Sequence, residues 1–94
     1  MSKLTEAEVA ERLSSAGEWR AVNGEAIERE QHFADFAAAL AFVNRVGELA
    51  EARNHHPDIQ LYGWNKVRLT LSTHSEGGLT DADFRLASEI DQLS

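Results

Sequence analysis

Three of the chain's four histidines stand where the polypeptide should change direction. His55 and His56 directly precede Pro57, and His74 follows Ser72-Thr73 just ahead of Gly77-Gly78. Imidazole is the side chain whose unperturbed pKa lets it give and take protons near neutrality. Polar groups at element ends, beside loops, are where binding sites concentrate. Glu51 lies four residues before His55, so a helix persisting that far puts both on one face within hydrogen-bonding reach. A carboxylate on one ring nitrogen fixes the tautomer and makes the other nitrogen the better base. The chemistry indicated is proton transfer by oriented imidazoles. Each feature also has a plainer reading. Paired histidines suit a solvated helix end, where imidazolium favours the negative pole of the dipole. His74 suits a polar strand end, Glu51–His55 a surface pair, and Asp83 a capping position three residues after Thr80. His32 reads as structural.

A metal site fits less well. Neighbouring residues on a helix end point about 100° apart, unlike the i, i+4 histidines of the His-Glu-x-x-His zinc motif. With no cysteine in the chain, thiolate ligands, disulfides and thiol nucleophiles are excluded, and no metal is expected.

The elements that must position these groups begin with Thr5-Glu6-Ala7-Glu8, a capping box, with Leu4 and Val9 spaced as a hydrophobic staple. This predicts a helix from about Glu6 to Ser14, ending at Ala16-Gly17. Glu18 to Val22 reads as a strand, Asn23-Gly24 as a type I′ turn, and Glu25 to about Phe33 as the return strand. Charged side chains on both faces of that return strand predict a sheet edge or a largely solvated surface. Asp35 caps a long helix reaching about Arg53, with Phe36, Leu40, Val43, Val46, Leu49 and Ala50 at helical spacing. Phe42 and neighbouring alanines widen this stripe beyond what one sheet covers, so part of it is expected to meet another subunit. Pro57 bars helix at the residue before it. Ile59 to Trp64 and Lys66 to Thr73 read as strands, the latter with Val67, Leu69 and Leu71 on one side. Thr80 opens a last helix burying Phe84, Ala87, Ile90 and Leu93. Trp19 and Trp64 read as core or rim aromatics. The expected class is α+β, ordered α-β-β-α-β-β-α: a four-stranded antiparallel sheet with helices packed on one face.

At 94 residues the chain should form one domain over 1–94, burying roughly two-thirds of its unfolded surface. A hydrophobic fraction of 43% against 27% charged excludes disorder. Nine basic against sixteen acidic residues, net −7, argue against nucleic acid as a partner. The longest apolar run, Phe36 to Val43, is eight residues, short of the ~20 a membrane span needs. No basic, apolar leader precedes the first helix, so a cytoplasmic location is expected. No Rossmann or P-loop glycine pattern is present.

Glu51-Ala52-Arg53-Asn54-His55-His56-Pro57, then Asn65-Lys66-Val67, Leu71-Ser72-Thr73-His74, Gly78-Leu79-Thr80 and Asp83 resemble the pterin-4a-carbinolamine dehydratase family. Upstream, Gly17 with Trp19, His32-Phe33 with Asp35-Phe36, and Arg45-Val46 extend the likeness. His-His-Pro joined to Thr-His-x-x-x-Gly-Leu is its specific part. The resemblance implies a lyase that dehydrates 4a-hydroxytetrahydropterin to quinonoid dihydropterin, without a cofactor, in recycling the tetrahydropterin of aromatic amino-acid hydroxylases. It implies His55 and His74 as the acid/base pair, Glu51 as orienter of His55, and His56 as a substrate-binding partner. Pro57 and the segment Ser72, Thr73 and Ser75 would line the pterin pocket, with Asp83 behind it near His74. A homodimer or homotetramer is implied too. Trp64 where the family often carries Tyr, Ile59 where an aromatic is common, and Glu76-Gly77 after His74 depart from the pattern and bear on substrate preference. The second reading is a non-catalytic interaction module of the same fold, since the animal protein assists dimerisation of a homeodomain transcription factor. The third, a small metal-binding regulator, requires stoichiometric zinc.

Overall fold

Each helix starts on the residue that sequence reasoning marks as its cap. A computed structural model describes residues 2–93. It runs α1 (Glu6–Leu13), β1 (Arg20–Val22), β2 (Ala26–His32), α2 (Phe36–Arg53), β3 (Asp58–Tyr62), β4 (Lys66–Leu71) and α3 (Asp81–Asp91). Thr5 Oγ1 accepts from Glu8 N at 3.1 Å while Glu8 Oε1 accepts from Thr5 N at 2.9 Å. Asp35 Oδ1 accepts from Ala38 N at 2.8 Å. These side chains occupy amides that the first helical turn leaves without partners.

The four strands form one antiparallel sheet in the order β1-β2-β4-β3. β2 is therefore interior, between β1 and β4, and not the edge that its charges suggest. The charges are tolerated because each meets an opposite one. On the helix side Arg29 donates to Asp91, which also accepts from Trp19 Nε1 at 3.0 Å. On the open face Arg20 donates to Glu28 at 2.7 Å, and Arg68 to Glu30 at 3.1 Å. Opposite charges on adjacent strands stabilise the pairing rather than disrupt it.

Inward alternation along β4 buries Val67, Leu69 and Leu71 against Ile27, the α2 residues Phe42 and Val46, and the α3 residues Leu86 and Ile90. Phe42, not Phe36, is the centre of the α2 contact. Phe36 and Leu40 remain 51% and 43% exposed, consistent with a stripe wider than the sheet beneath it. β3 stops at Tyr62, earlier than predicted, because Gly63 and Trp64 take positive φ, 54° and 58°, in the hairpin turn. Trp64 is consequently 61% exposed while Trp19 is buried. No helix among the described residues is long and apolar enough to cross a membrane.

Two packing predictions follow from this arrangement. Phe42→Ala should cost about 3–5 kcal/mol in urea unfolding, the range for emptying a buried aromatic site. Glu30 is held below the ordinary glutamate value of 4.5, first by its hydrogen bond with His32 and then by Arg68. A depressed carboxyl contributes stability above 4.5 that is lost as pH falls through its folded value. The stability gap between wild type and Glu30→Gln should therefore narrow as titration proceeds from about pH 7 to about pH 3. A gap that stays constant would remove Glu30 from the account.

Candidate active site

Asn54 ends α2 in the left-handed region, at φ 52° and ψ 41°. Its N–H bonds Glu51 O at 3.1 Å, and the N–H of His55 bonds Ala50 O at 3.1 Å. This is a Schellman closure, with asparagine in the position glycine usually takes. It turns the chain off the helix axis, so Glu51 and His55 do not share a face. Glu51 instead meets the other imidazole: its Oε1 lies 2.5 Å from His56 Nε2, in an exposed pair. The expected Glu51–His55 pairing is replaced because the helix ends at Arg53, two residues short of His55.

His55 has a different and buried partner. Its Nε2 lies 2.6 Å from Asp83 Oδ1, and Asp83 has no exposed surface. The second carboxylate oxygen of Asp83 accepts from Thr73 Oγ1 at 2.8 Å and from Thr80 N at 3.0 Å. Thr73 Oγ1 is also 2.9 Å from Thr80 Oγ1. A carboxylate only accepts. With Thr73 spending its one hydrogen on Asp83, Thr80 must donate to Thr73, and Nε2 of His55 must carry its proton. The ring is thereby held in one tautomer with Nδ1 left for chemistry.

The network ends at Thr73, and the exposed His74 is its neighbour in the chain. Thr73 immediately precedes it, and the loop Thr73–Gly78 is closed by a bridge, Thr73 N to Gly78 O at 2.9 Å. His74 to Glu76 form a single 3₁₀ turn ended by Gly77 at φ 71°, a backbone conformation that glycine adopts without strain. Asp58 pairs with Thr70 across β3 and β4.

His74 lines a cleft of about 410 Å³ on the open sheet face, with Ser72, Thr70, Asp58, Glu25 and Gly77. His55 lines a separate cavity of about 120 Å³ between the end of α2 and α3, with Arg53, Arg85 and Glu89. The two histidines do not line one cavity, and His74 is linked to the Asp83 network only by following Thr73 in the chain. A roomier groove of about 540 Å³, lined by α3, Arg12 and the segment between α1 and β1, has no histidine among its lining. Of the remaining candidates, Pro57 is half-buried beside His56 and Ser75 is exposed in the 3₁₀ turn. Ser72 Oγ donates to Glu25 O at 2.9 Å, and the Thr73 hydroxyl serves Asp83. No group of three or more His, Asp or Glu side chains among the described residues is arranged to hold a metal.

Sequence reasoning reads Asp83 both as a helix cap and as a residue behind the pocket. In the structure the carboxylate that caps α3 also grips His55. The hydroxyls of Thr73 and Thr80 carry no sequence signal beyond the cap. Asp83→Asn should cost about 1–3 kcal/mol in urea unfolding, because its amide NH₂ must face a donor that now meets a carboxylate oxygen. An unchanged midpoint would show that the buried network contributes nothing.

Comparison with known proteins identifies the family. A family model for pterin 4 alpha carbinolamine dehydratase matches residues 2–93. Provisionally named pterin-4-alpha-carbinolamine dehydratases from Chloroflexus aurantiacus and Acidobacterium capsulatum are each 50% identical over 93 residues. That alignment covers 99% of this chain, and 98% and 99% of the two relatives respectively. The crystal structure of a transcriptional coactivator/pterin dehydratase from Brucella melitensis is similar with a TM-score of 0.91 and 38% identity, over 98% of both chains. A pterin dehydratase-like RuBisCO assembly factor of the alpha-carboxysome is similar with a TM-score of 0.69 and 26% identity, over 81% of this chain and 88% of its own. On the match across nearly its whole length, the chain belongs to the pterin 4 alpha carbinolamine dehydratase family.

Proposed function

We propose that this protein dehydrates a 4a-hydroxytetrahydropterin to the quinonoid dihydropterin and water, with imidazoles carrying the protons. The observation that supports it most is the buried Asp83, which spends one oxygen on His55 and the other on the residue before His74. In this step the C4a–O bond breaks as the hydroxyl takes up a proton and leaves as water. N5 loses its proton and the C4a–N5 double bond forms, so protons balance. Acid/base transfer by placed imidazoles contributes about 10²–10⁴-fold to such steps.

His55 and His74 are the acid/base pair. Asp83 holds the His55 tautomer and stabilises the imidazolium when it forms. His56, with Glu51 on its Nε2, borders the substrate, so Glu51 acts on the neighbouring ring and not on His55. Pro57, Ser72 and Ser75 furnish pocket wall and backbone contacts, while Thr73 works through Asp83. The product then serves tetrahydropterin recycling for an aromatic amino-acid hydroxylase in the cytoplasm. Exposed Phe36 and Leu40 on α2 support a homo-oligomer.

A second reading, a non-catalytic interaction module, draws support from the same exposed apolar residues and from neighbours described as a coactivator and an assembly factor. A module of that kind has no use for an imidazole whose tautomer a buried carboxylate fixes. The deciding measurement follows quinonoid dihydropterin formation in a coupled hydroxylase assay. Wild type should accelerate it, with losses of about 10²-fold or more in His55→Ala and in His74→Ala, and a larger loss in the double variant. Equal rates for all of these proteins, with no acceleration by wild type, would leave the module reading.

A further inference from the structure

We infer that Arg53 and Glu89 form a positioning clamp for His55, setting its distance from Asp83. Arg53 is the last residue of α2, two positions before His55. Its Nε donates to both carboxylate oxygens of Glu89, at 2.8 and 2.9 Å, and its Nη2 donates to Oε2. Glu89 is on α3, six residues after Asp83. The clamp therefore joins the element that delivers His55 to the element that carries its carboxylate.

Geometry gives this pair more leverage than a surface ion pair usually has. Between Arg53 and His55 only Asn54 intervenes, in the left-handed turn. Arg53, His55 and Glu89 line one small cavity together with Ala82, the residue before Asp83 on α3. A fork of guanidinium bonds to one carboxylate is directional, where a lysine would supply a point charge. The pairing raises the Arg53 pKa and lowers that of Glu89, in each case chiefly through the hydrogen bonds between them. Exposed pairs contribute little to global stability, so a change here should register in the site more than in the fold. Displacement of a catalytic group by about 1 Å can cost up to about 10²-fold in rate.

The kinetic half of the test rests on the dehydratase reading, whereas the spectroscopic half does not. Arg53→Met and Glu89→Gln should each lower kcat about tenfold with KM within about twofold, and leave the thermal midpoint within a few degrees. The ring N–H of His55, observed by ¹⁵N-edited NMR, should lose the downfield position that its bond to Asp83 imposes. Arg53→Lys should recover part of kcat, and the charge exchange Arg53→Glu with Glu89→Arg most of it. If both single variants keep wild-type kcat and an unmoved His55 ring signal, the clamp is a surface ion pair and the inference fails. If wild type shows no dehydratase activity, that reading fails, and the ring signal alone still decides whether the clamp positions His55.

Discussion

One buried carboxylate organises the functional end of this molecule. Asp83 has no exposed surface, and an uncompensated charge in that position would be strongly destabilising. It is tolerated because three donors converge on it: the His55 ring, the Thr73 hydroxyl and the Thr80 amide. Those donors come from three different parts of the chain, the loop before β3, the end of β4 and the start of α3. Satisfying one charge therefore docks three segments, and the docking fixes the imidazole. The hydrogen bonds that satisfy the buried charge are the ones that hold the imidazole.

The rest of the fold exists to bring those segments together. β4 is flanked on both sides, by β2 and β3, and contributes its whole inner face to the core. Its end is thus among the least mobile points available for the loop that carries His74. α2 approaches the same end and stops on Asn54, whose left-handed conformation redirects the chain across the sheet edge toward β3. Charge is handled by the same economy on the open face. There Glu30 takes hydrogen bonds from Tyr62 and Arg68, so polar residues on an interior strand meet partners instead of bare solvent.

Consecutive histidines end up in unlike surroundings. His55 is half-buried against Asp83, whereas His56 is 58% exposed in its side chain and meets Glu51, itself 80% exposed. A rigid, tautomer-locked imidazole beside a solvated one suits a division between proton transfer and contact with substrate. Neither residue type nor spacing distinguishes them; the end of the helix at Arg53 and the left-handed Asn54 do.

Much of this was legible in local sequence. Capping boxes at Thr5 and Thr80, the Asp35 cap, the Asn23-Gly24 turn and the alternation of Val67, Leu69 and Leu71 each specify an element through neighbours a few residues apart. Such signals are short-range, and they give the element order and the helix-covered sheet face. The resemblance carried by His55-His56-Pro57 and Thr73-His74 likewise locates the candidate residues. Which carboxylate meets which imidazole is another matter. Glu51 and Asp83 were both in reach of the argument, but the choice turned on the left-handed Asn54 and on α3 folding back over the end of β4. The interior place of β2 was similarly hidden, because the partners that neutralise its charges, Asp91 and Arg68, lie 62 and 38 residues away. Long-range pairings of this kind leave no periodic trace in a single chain. They depend on burial, which sets the cost of leaving a charge alone, and burial is a property of the assembled fold.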